Sequence, residues 1–292
     1  MKNYEWIKEN EWLEIVLAEA RKQLDEKRES SERLKTENIQ AQRELWQDVG
    51  SISIENNLDQ LVDFMAFIDL MKRQKRTYRF TKKLEEKYEK LVLSPYFGRI
   101  DFLENGDERA EKHYIGTANL VNDSYDILVY DWRAPVSGMF YDYEIGEASY
   151  KCPEGIVNGQ VTLKRQYKVN NGKIEYMFDS SLKIDDEILQ EVLSKSTDSR
   201  MRTIVTSIQR EQNQVIRNEE HKNLVVQGPA GSGKTSIALH RVAYLLYKHR
   251  DKVAPQNIII FSPNQIFNDY ISNVLPQLGE DNMLQTTFKE YM

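Results

Sequence analysis

The sequence predicts a multidomain protein of mixed α and β structure in three consecutive parts. These are an N-terminal antiparallel helical hairpin of coiled-coil type (residues 1–93), a small antiparallel β domain (94–182), and the incomplete start of a parallel α/β domain (183–292). Three observations carry this expectation. The first part has no proline before Pro95 and repeats apolar residues at alternating steps of four and three. The second alternates tyrosine, valine and isoleucine with polar residues and contains Asn-Gly pairs. The third holds "GPAGSGKT", Gly228–Thr235, between an apolar strand pattern and an apolar helix pattern.

In the first part Glu, Lys, Arg, Leu and Gln dominate, which are good helix formers. One stripe runs Leu13, Leu17, Ala20, Leu24, Lys27, Ser31, Leu34, Asn38, Ala41, Leu45. That spacing is a heptad seam, and its polar members call for a well-matched partner helix. The stretch "DVGSISIENN" (48–57) interrupts the pattern, with Gly50 suited to end one helix and Asn57 to cap the next. Leu58, Leu61, Met65 and Ile68 resume the seam and Leu84, Tyr88 and Leu91 close it. Arms of about 35 residues at 1.5 Å per residue reach roughly 50 Å. Charge is unevenly placed. Residues 43–71 hold Glu44, Asp48, Glu55, Asp59, Asp63 and Asp69 against Arg43 alone, whereas residues 72–90 hold nine Lys or Arg against three Glu. An acidic tip suits a basic-walled channel or a metal-containing site; a solvated coiled-coil face accounts for the same charges.

The second part reads as five or six strands, with turns expected at Asn-Gly pairs 105–106, 158–159 and 171–172. Within it, "YDWRAPVSGMFYDY" gathers Tyr130, Trp132, Arg133, Tyr141 and Tyr143. Such aromatics can stack bases, but a domain core or hinge, with Arg133 paired to Asp131 or Asp142, fits them better. Composition narrows the classes further. Cys152 is the single cysteine, which excludes an internal disulfide and fits a reducing cytoplasm. The four histidines lack metal-ligand spacing, so no structural zinc is expected. A net charge of −6 argues against a dedicated duplex-DNA binder. No apolar run approaches the roughly 20 residues that cross a bilayer, and the acidic N-terminus is not an export signal.

The glycine-rich stretch carries the chemistry. Gly228, Pro229, Ala230, Gly231, Ser232, Gly233, Lys234, Thr235 and Ser236 match the phosphate-binding loop pattern. Glycines let backbone N–H groups face a polyphosphate, and the helix after the loop adds its positive end. Lys234 is the candidate catalytic lysine for the β- and γ-phosphates of ATP, and the Thr235 hydroxyl is the candidate Mg2+ ligand. Sixteen residues upstream, Gln212 in "IQREQNQVI" has an amide able to donate to and accept from the adenine edge at once. Its placement resembles the adenine-reading glutamine of superfamily 1 helicases. Hydrolysis also needs a carboxylate pair at a strand end and an arginine for transition-state charge. Neither is evident in residues 236–292, so the sequence reads as the N-terminal portion of a longer ATPase, expected to bind nucleotide but not to turn it over alone.

Several blocks in register, "SPYFGRIDF" (94–102), "YIGTANL" (114–120), "YDWRAP" (130–135), "LKRQY" (163–167), "IQREQNQVI" (208–216) and "VVQGPAGSGKTSIALHRVAYLLY" (225–247), resemble the HelD family of helicase-like ATPases. The resemblance spans essentially the whole chain. It implies a RecA-like α/β domain with the phosphate loop, ATP and Mg2+ as cofactors, and bacterial RNA polymerase as partner. It further implies that the coiled coil enters the polymerase secondary channel and that ATP use is coupled to polymerase release and recycling. On that reading Asp48, Glu55 and Asp59 form the partner-binding tip. Ile54, Asn56, Asn57 and Leu58 around Glu55 make this tip less acidic than the family's, so insertion is expected rather than contact with the catalytic metal. A cytoplasmic monomer with weak nucleic-acid binding of its own is expected. A repair or unwinding helicase with an N-terminal adaptor, and a coiled-coil protein with a disused nucleotide site, are the competing readings.

Overall fold

Two long helices open the chain, α1 over Lys2–Val49 and α2 over Leu58–Leu93. This computed structural model describes residues 2–49, 58–179, 210–229, 231–278, 280 and 282–292. The chain divides into two units, Met1–Pro95 and Tyr96–Met292. In the first, α1 has 48 residues and α2 has 36, so α1 is longer than the expected arm. Leu13, Leu17, Ala20 and Leu24 are buried as their spacing predicts, with Val16 beside them. Lys27, Leu34, Asn38 and Ala41 are half-buried. Further along, the interface becomes polar. Across the helices buried Ser31 donates to Glu85 Oε2 at 2.8 Å and Arg28 donates to Glu89 at 2.9 Å, and within α2 Lys82 donates to Glu85 Oε1 at 2.8 Å.

The buried face of α2 follows the expected one at Tyr88 and Leu91, with Ile68 and Leu84 half-buried, and departs from it at Met65, which is exposed at 62%. Counting back from buried Tyr88 in heptad steps, the inward positions are Glu85, Thr81, Tyr78, Gln74, Met71 and Phe67. That register misses Met65, and polar Gln74, Thr81 and Glu85 hid it from a count of apolar residues. Gly50, Glu55 and Asn57 lie outside the described residues, as do the side chains of Leu45, Asp48, Leu58, Asp59 and Leu61.

The second unit begins with a mixed, mostly antiparallel sheet. Its strands are β1 (Gly98–Glu104), β2 (Glu111–Gly116), β3 (Leu120–Val121), β4 (Ile127–Asp131), β5 (Gly146–Cys152), β6 (Gly155–Asn170) and β7 (Lys173–Asp179). The order is β3-β4-β2-β1-β6-β5, and β7 also pairs with β6. This is seven strands rather than five or six, and β2 pairs with β4 in parallel. A short helix α3 (Pro135–Asp142), with Pro135 in its first turn, separates β4 from β5. Asn171-Gly172 makes the expected tight hairpin, both residues left-handed at φ 48° and 71°. Asn105-Gly106 lies in the β1–β2 turn. Asn158-Gly159, expected as a turn, instead lies inside β6. A Cβ on Gly159 would sit 2.2 Å from the Leu103 carbonyl oxygen, so this glycine serves close strand approach. Pro153-Glu154 makes the β5–β6 reversal in its place.

After the sheet come α4 (Arg210–Arg217), α5 (Lys234–Lys248), β8 (Ile259–Ser262), α6 (Gln265–Val274), β9 (Leu284–Thr287) and α7 (Phe288–Tyr291). Strands β8 and β9 pair in parallel, and Asn264 caps α6 by accepting from the Phe267 N–H at 3.0 Å. The expected strand at "NLVVQ" (223–227) is absent. Those residues have no strand neighbour among the described residues, and Val225 is 90% exposed. An apolar run becomes a strand only where another backbone completes its ladder. The helical patterns of 184–209 lie outside the described residues. One cluster of buried side chains joins the sheet to the helices C-terminal to it. It runs from Ile100, Ile115 and Val161 through Trp132, Met139 and Phe140 to Ile216, Leu239, Ala243 and Ile271.

Burial pushes the Glu85 carboxyl up, but hydrogen bonds from Lys82 and Ser31 outweigh it and hold the group below its ordinary range. A lowered folded-state value means that its contribution is complete above the ordinary carboxylate range and is lost as pH falls through the lowered value. Hydrogen exchange of the hairpin amides at pH 7 is expected to show Glu85→Gln less stable by about 1–2 kcal/mol. The variant should also show a smaller loss of hairpin stability on acidification towards pH 3; equal behaviour of the two chains contradicts the pairing.

Candidate functional site

The turn ahead of α5 has the backbone that its glycines permit. Gly231 and Gly233 adopt φ of 84° and 79°, in the left-handed region open to glycine. Gly233 is the N-cap of α5 and offers no side chain to the helix N–H groups, which leaves the first turn open to an external acceptor. A Cβ on Gly231 would meet nothing within 4 Å, whereas one on Gly228 would lie 2.8 Å from Ser232 Oγ. Lys234 begins α5 and folds over the loop, donating to the carbonyl oxygens of Gly228 at 2.9 Å and Pro229 at 2.6 Å. Thr235 and Ser236 come next on the first turn, half-buried. Ala230 lies outside the described residues. An open, amide-lined turn with an ammonium at its edge fits a polyphosphate. Among the described residues no group of three or more His, Cys, Asp and Glu is gathered as for a metal ion.

Gln212 belongs to the same place. It sits on α4, and a methyl built on Gly233 would be 3.4 Å from Gln212 Nε2. Two residues distant in the chain are thus brought together by the docking of α4 against α5. The contacts that make this docking were not legible in advance. Arg241, on α5, reaches the carbonyls of Val215, Ile216 and Asn218 at 2.7–3.2 Å and so caps the C-terminal end of α4. Arg217 crosses the Tyr244 ring at 5.2 Å. Tyr244 in turn donates to Glu219, and burial together with that bond pushes its phenol up to about 12.

The "DWRAP" turn packs against both α4 and α5. Trp132 is fully buried, and Arg133 pairs with Asp131 through both carboxylate oxygens at 2.8 and 2.7 Å. Arg133 also pairs with Glu280 and lies 4.9 Å from the Tyr247 ring centre. The burial of Arg133 opposes its charge, but the attraction and hydrogen bonds of Asp131, with Glu280, raise its pKa above the ordinary arginine value. Trp132 and Arg133 therefore serve the core, as the sequence favoured, rather than a base-stacking surface. The Trp132 ring meets His240 of α5 edge-on at 5.4 Å. His240 Nδ1 lies 2.7 Å from the Ser236 carbonyl, so Nδ1 carries the proton and Nε2 does not. Trp132 Nε1 and His240 Nε2 are both buried without a hydrogen-bond partner among the described residues.

A signal for these supporting residues existed in α4 itself. Asn213, Ile216 and Arg217 share one face at helical spacing, and Asn213 and Ile216 are buried. An asparagine and an arginine on that face read as surface residues when the partner is unknown.

With the geometry in place, comparison with known proteins defines the class and then the family. A model of the UvrD/REP helicase N-terminal domain matches residues 208–267, which include Gln212, the glycine turn, α5 and β8. The chain is superfamily 1 helicase-like. A model of the N-terminal domain of DNA helicase IV HelD matches residues 8–198, well over half of the 292 residues, and the chain belongs to that family. No curated protein matches it. No helix among the described residues is long and apolar enough to cross a membrane.

Burial pushes His240 below its ordinary value, against the opposing bond to the Ser236 carbonyl. NMR of labelled histidine is expected to show His240 neutral, protonated at Nδ1, and titrating below about 6.5. Titration at or above that value contradicts the packing against Trp132.

Proposed function

We propose that this chain is the nucleotide-binding and partner-binding portion of a superfamily 1 helicase-like ATPase. Its helical hairpin binds bacterial RNA polymerase at the secondary channel, and in the complete protein ATP use drives polymerase off nucleic acid for recycling. The observation that carries the nucleotide half is the approach of the Gln212 amide to Gly233 at the head of α5. A glutamine amide fits the adenine edge, and a glycine turn with exposed helix N–H groups fits the phosphates, so one molecule with both ends suits the pair.

Each residue has a separate task on this reading. Lys234 gives up its bonds to the Gly228 and Pro229 carbonyls in favour of phosphate oxygens. The N–H groups around Gly231–Ser236 hold the phosphate charge, and the Thr235 hydroxyl serves as a ligand for Mg2+. Bound Mg2+ neutralises phosphate charge. The polymerase half rests on membership of the family and on a hairpin whose return arm is basic beyond an acidic far half. Asp48, Glu55 and Asp59 are the proposed tip contacts. We further propose the sequence division 1–93, 94–182 and 183–292, with the described parts of the last two packed as one unit, and placement in the cytoplasm.

Titration of the chain with a fluorescent ATP analogue is expected to show saturable binding, weakened at least tenfold in Lys234→Ala; equal binding by the two sinks the nucleotide reading. Bacterial RNA polymerase is expected to be retained by the immobilised chain without DNA, and lost when Asp48, Glu55 and Asp59 are changed together to Lys. Salt-sensitive binding to single-stranded DNA with no retention of polymerase would favour an unwinding helicase instead.

A further inference from the structure

Along its described span, Arg210–Arg217, helix α4 is gripped at three points by α3 and the turn that precedes it. At the C-terminal end of α3, Asp142 Oδ1 accepts from Asn213 Nδ2 at 2.8 Å. At the N-terminal end, Arg217 Nη2 donates to the Trp132 carbonyl at 2.6 Å, and Nη1 donates to those of Arg133 and Ala134 at 3.2 and 3.3 Å. Between them Gly138 has no side chain, and a Cβ there would lie 3.4 Å from the Arg217 guanidinium carbon. Asn213 joins the two ends, since its Oδ1 accepts from Arg217 Nε at 3.1 Å. Asn213 is fully buried. The chain Asp142–Asn213–Arg217–carbonyls of 132–134 is continuous and charge-assisted at both ends, the strong class of hydrogen bond.

Gln212 is the residue next to Asn213. Adjacent residues on a helix are about 100° apart, so fixing Asn213 against α3 fixes the direction in which Gln212 leaves the helix. We infer that Asp142, Asn213 and Arg217 are positioning residues for Gln212, and that the clamp of α3 on α4 sets the preference of the site for adenine over guanine. This rests on the proposed adenine reading of Gln212. It goes beyond that reading by placing part of the base selectivity in α3 and the "DWRAP" turn, which touch no phosphate-loop glycine themselves.

The test compares the whole chain with Asp142→Ala, Asp142→Asn and Arg217→Lys in binding fluorescent ATP and GTP analogues. The Asn side chain at 142 still offers an oxygen to Asn213, whereas Lys at 217 lacks the fork that spans Asn213 and three carbonyls. Asp142→Ala and Arg217→Lys are expected to weaken ATP binding about tenfold, roughly the discrimination carried by one well-placed base contact, and GTP binding less than twofold. Asp142→Asn is expected to keep the wild-type ratio. Hydrogen exchange of the Arg210–Arg217 amides without nucleotide is expected to quicken in the two disruptive variants and not in Asp142→Asn. Unchanged exchange in both Asp142→Ala and Arg217→Lys, or an unchanged ATP-to-GTP ratio despite a wild-type preference, overturns the inference. Quickened exchange in a chain that never preferred ATP keeps the clamp, removes its role in selectivity, and refutes the adenine reading instead. Because Arg217→Lys keeps charge and bulk, it decides the matter even where Asp142→Ala fails to fold.

Discussion

Everything in the second unit depends on one buried junction, the packing of the Trp132–Ala134 turn between α4 and α5. Trp132 fills the space against His240, while Arg217 donates hydrogen bonds to the carbonyls of the same turn. Buried backbone carbonyls need donors, and a guanidinium with five N–H groups is suited to satisfy several at once. Removing either component would leave buried polar groups uncompensated, which costs more than the lost bond itself. The turn is thus fixed by the helices, and the helices are fixed by the turn.

That reciprocity explains why the sheet and α5 share a continuous core. The cluster of buried residues crosses from β1, β2 and β6 to α4, α5 and α6 through Trp132, Met139 and Phe140. Arg133 adds ion pairs on the same route, to Asp131 beside it and to Glu280 beyond α6. A buried pair of this kind contributes little net stability over an apolar alternative, but it tolerates only one geometry. Core packing has discrete solutions rather than a continuum. The head of α5 and the "DWRAP" turn therefore meet in one packed junction at Trp132 and His240.

Much of the fold was legible in the sequence, because the signals were local. Proline-free heptads gave the two helices, strand alternation gave the sheet, and Asn171-Gly172 marked its hairpin. The glycine turn was legible because its left-handed backbone at Gly231 and Gly233 calls for glycine. What stayed hidden depended on partners distant in the chain. The inward face of α2 carries Gln74, Thr81 and Glu85, which look like surface residues until Ser31 is placed opposite Glu85. Asn158-Gly159 looked like a turn, but Gly159 answers to the Leu103 carbonyl of another strand. The run at 223–227 looked like a strand, and no neighbouring backbone among the described residues makes it one. Asp142, Asn213 and Arg217 carry no motif, and only the docking of α4 on α3 gives them a shared role.

The central claim is that the sheet and helices α4 and α5 form a single cooperative body joined at Trp132. Native-state hydrogen exchange across a denaturant series measures this most directly, comparing amides of β1 and β6 with those of α5. The account predicts one shared opening free energy and one shared denaturant slope for these segments, as expected of residues exposed in the same global unfolding. Two separate openings, with α5 exchanging through a smaller unfolding that leaves β1 and β6 protected, would contradict it.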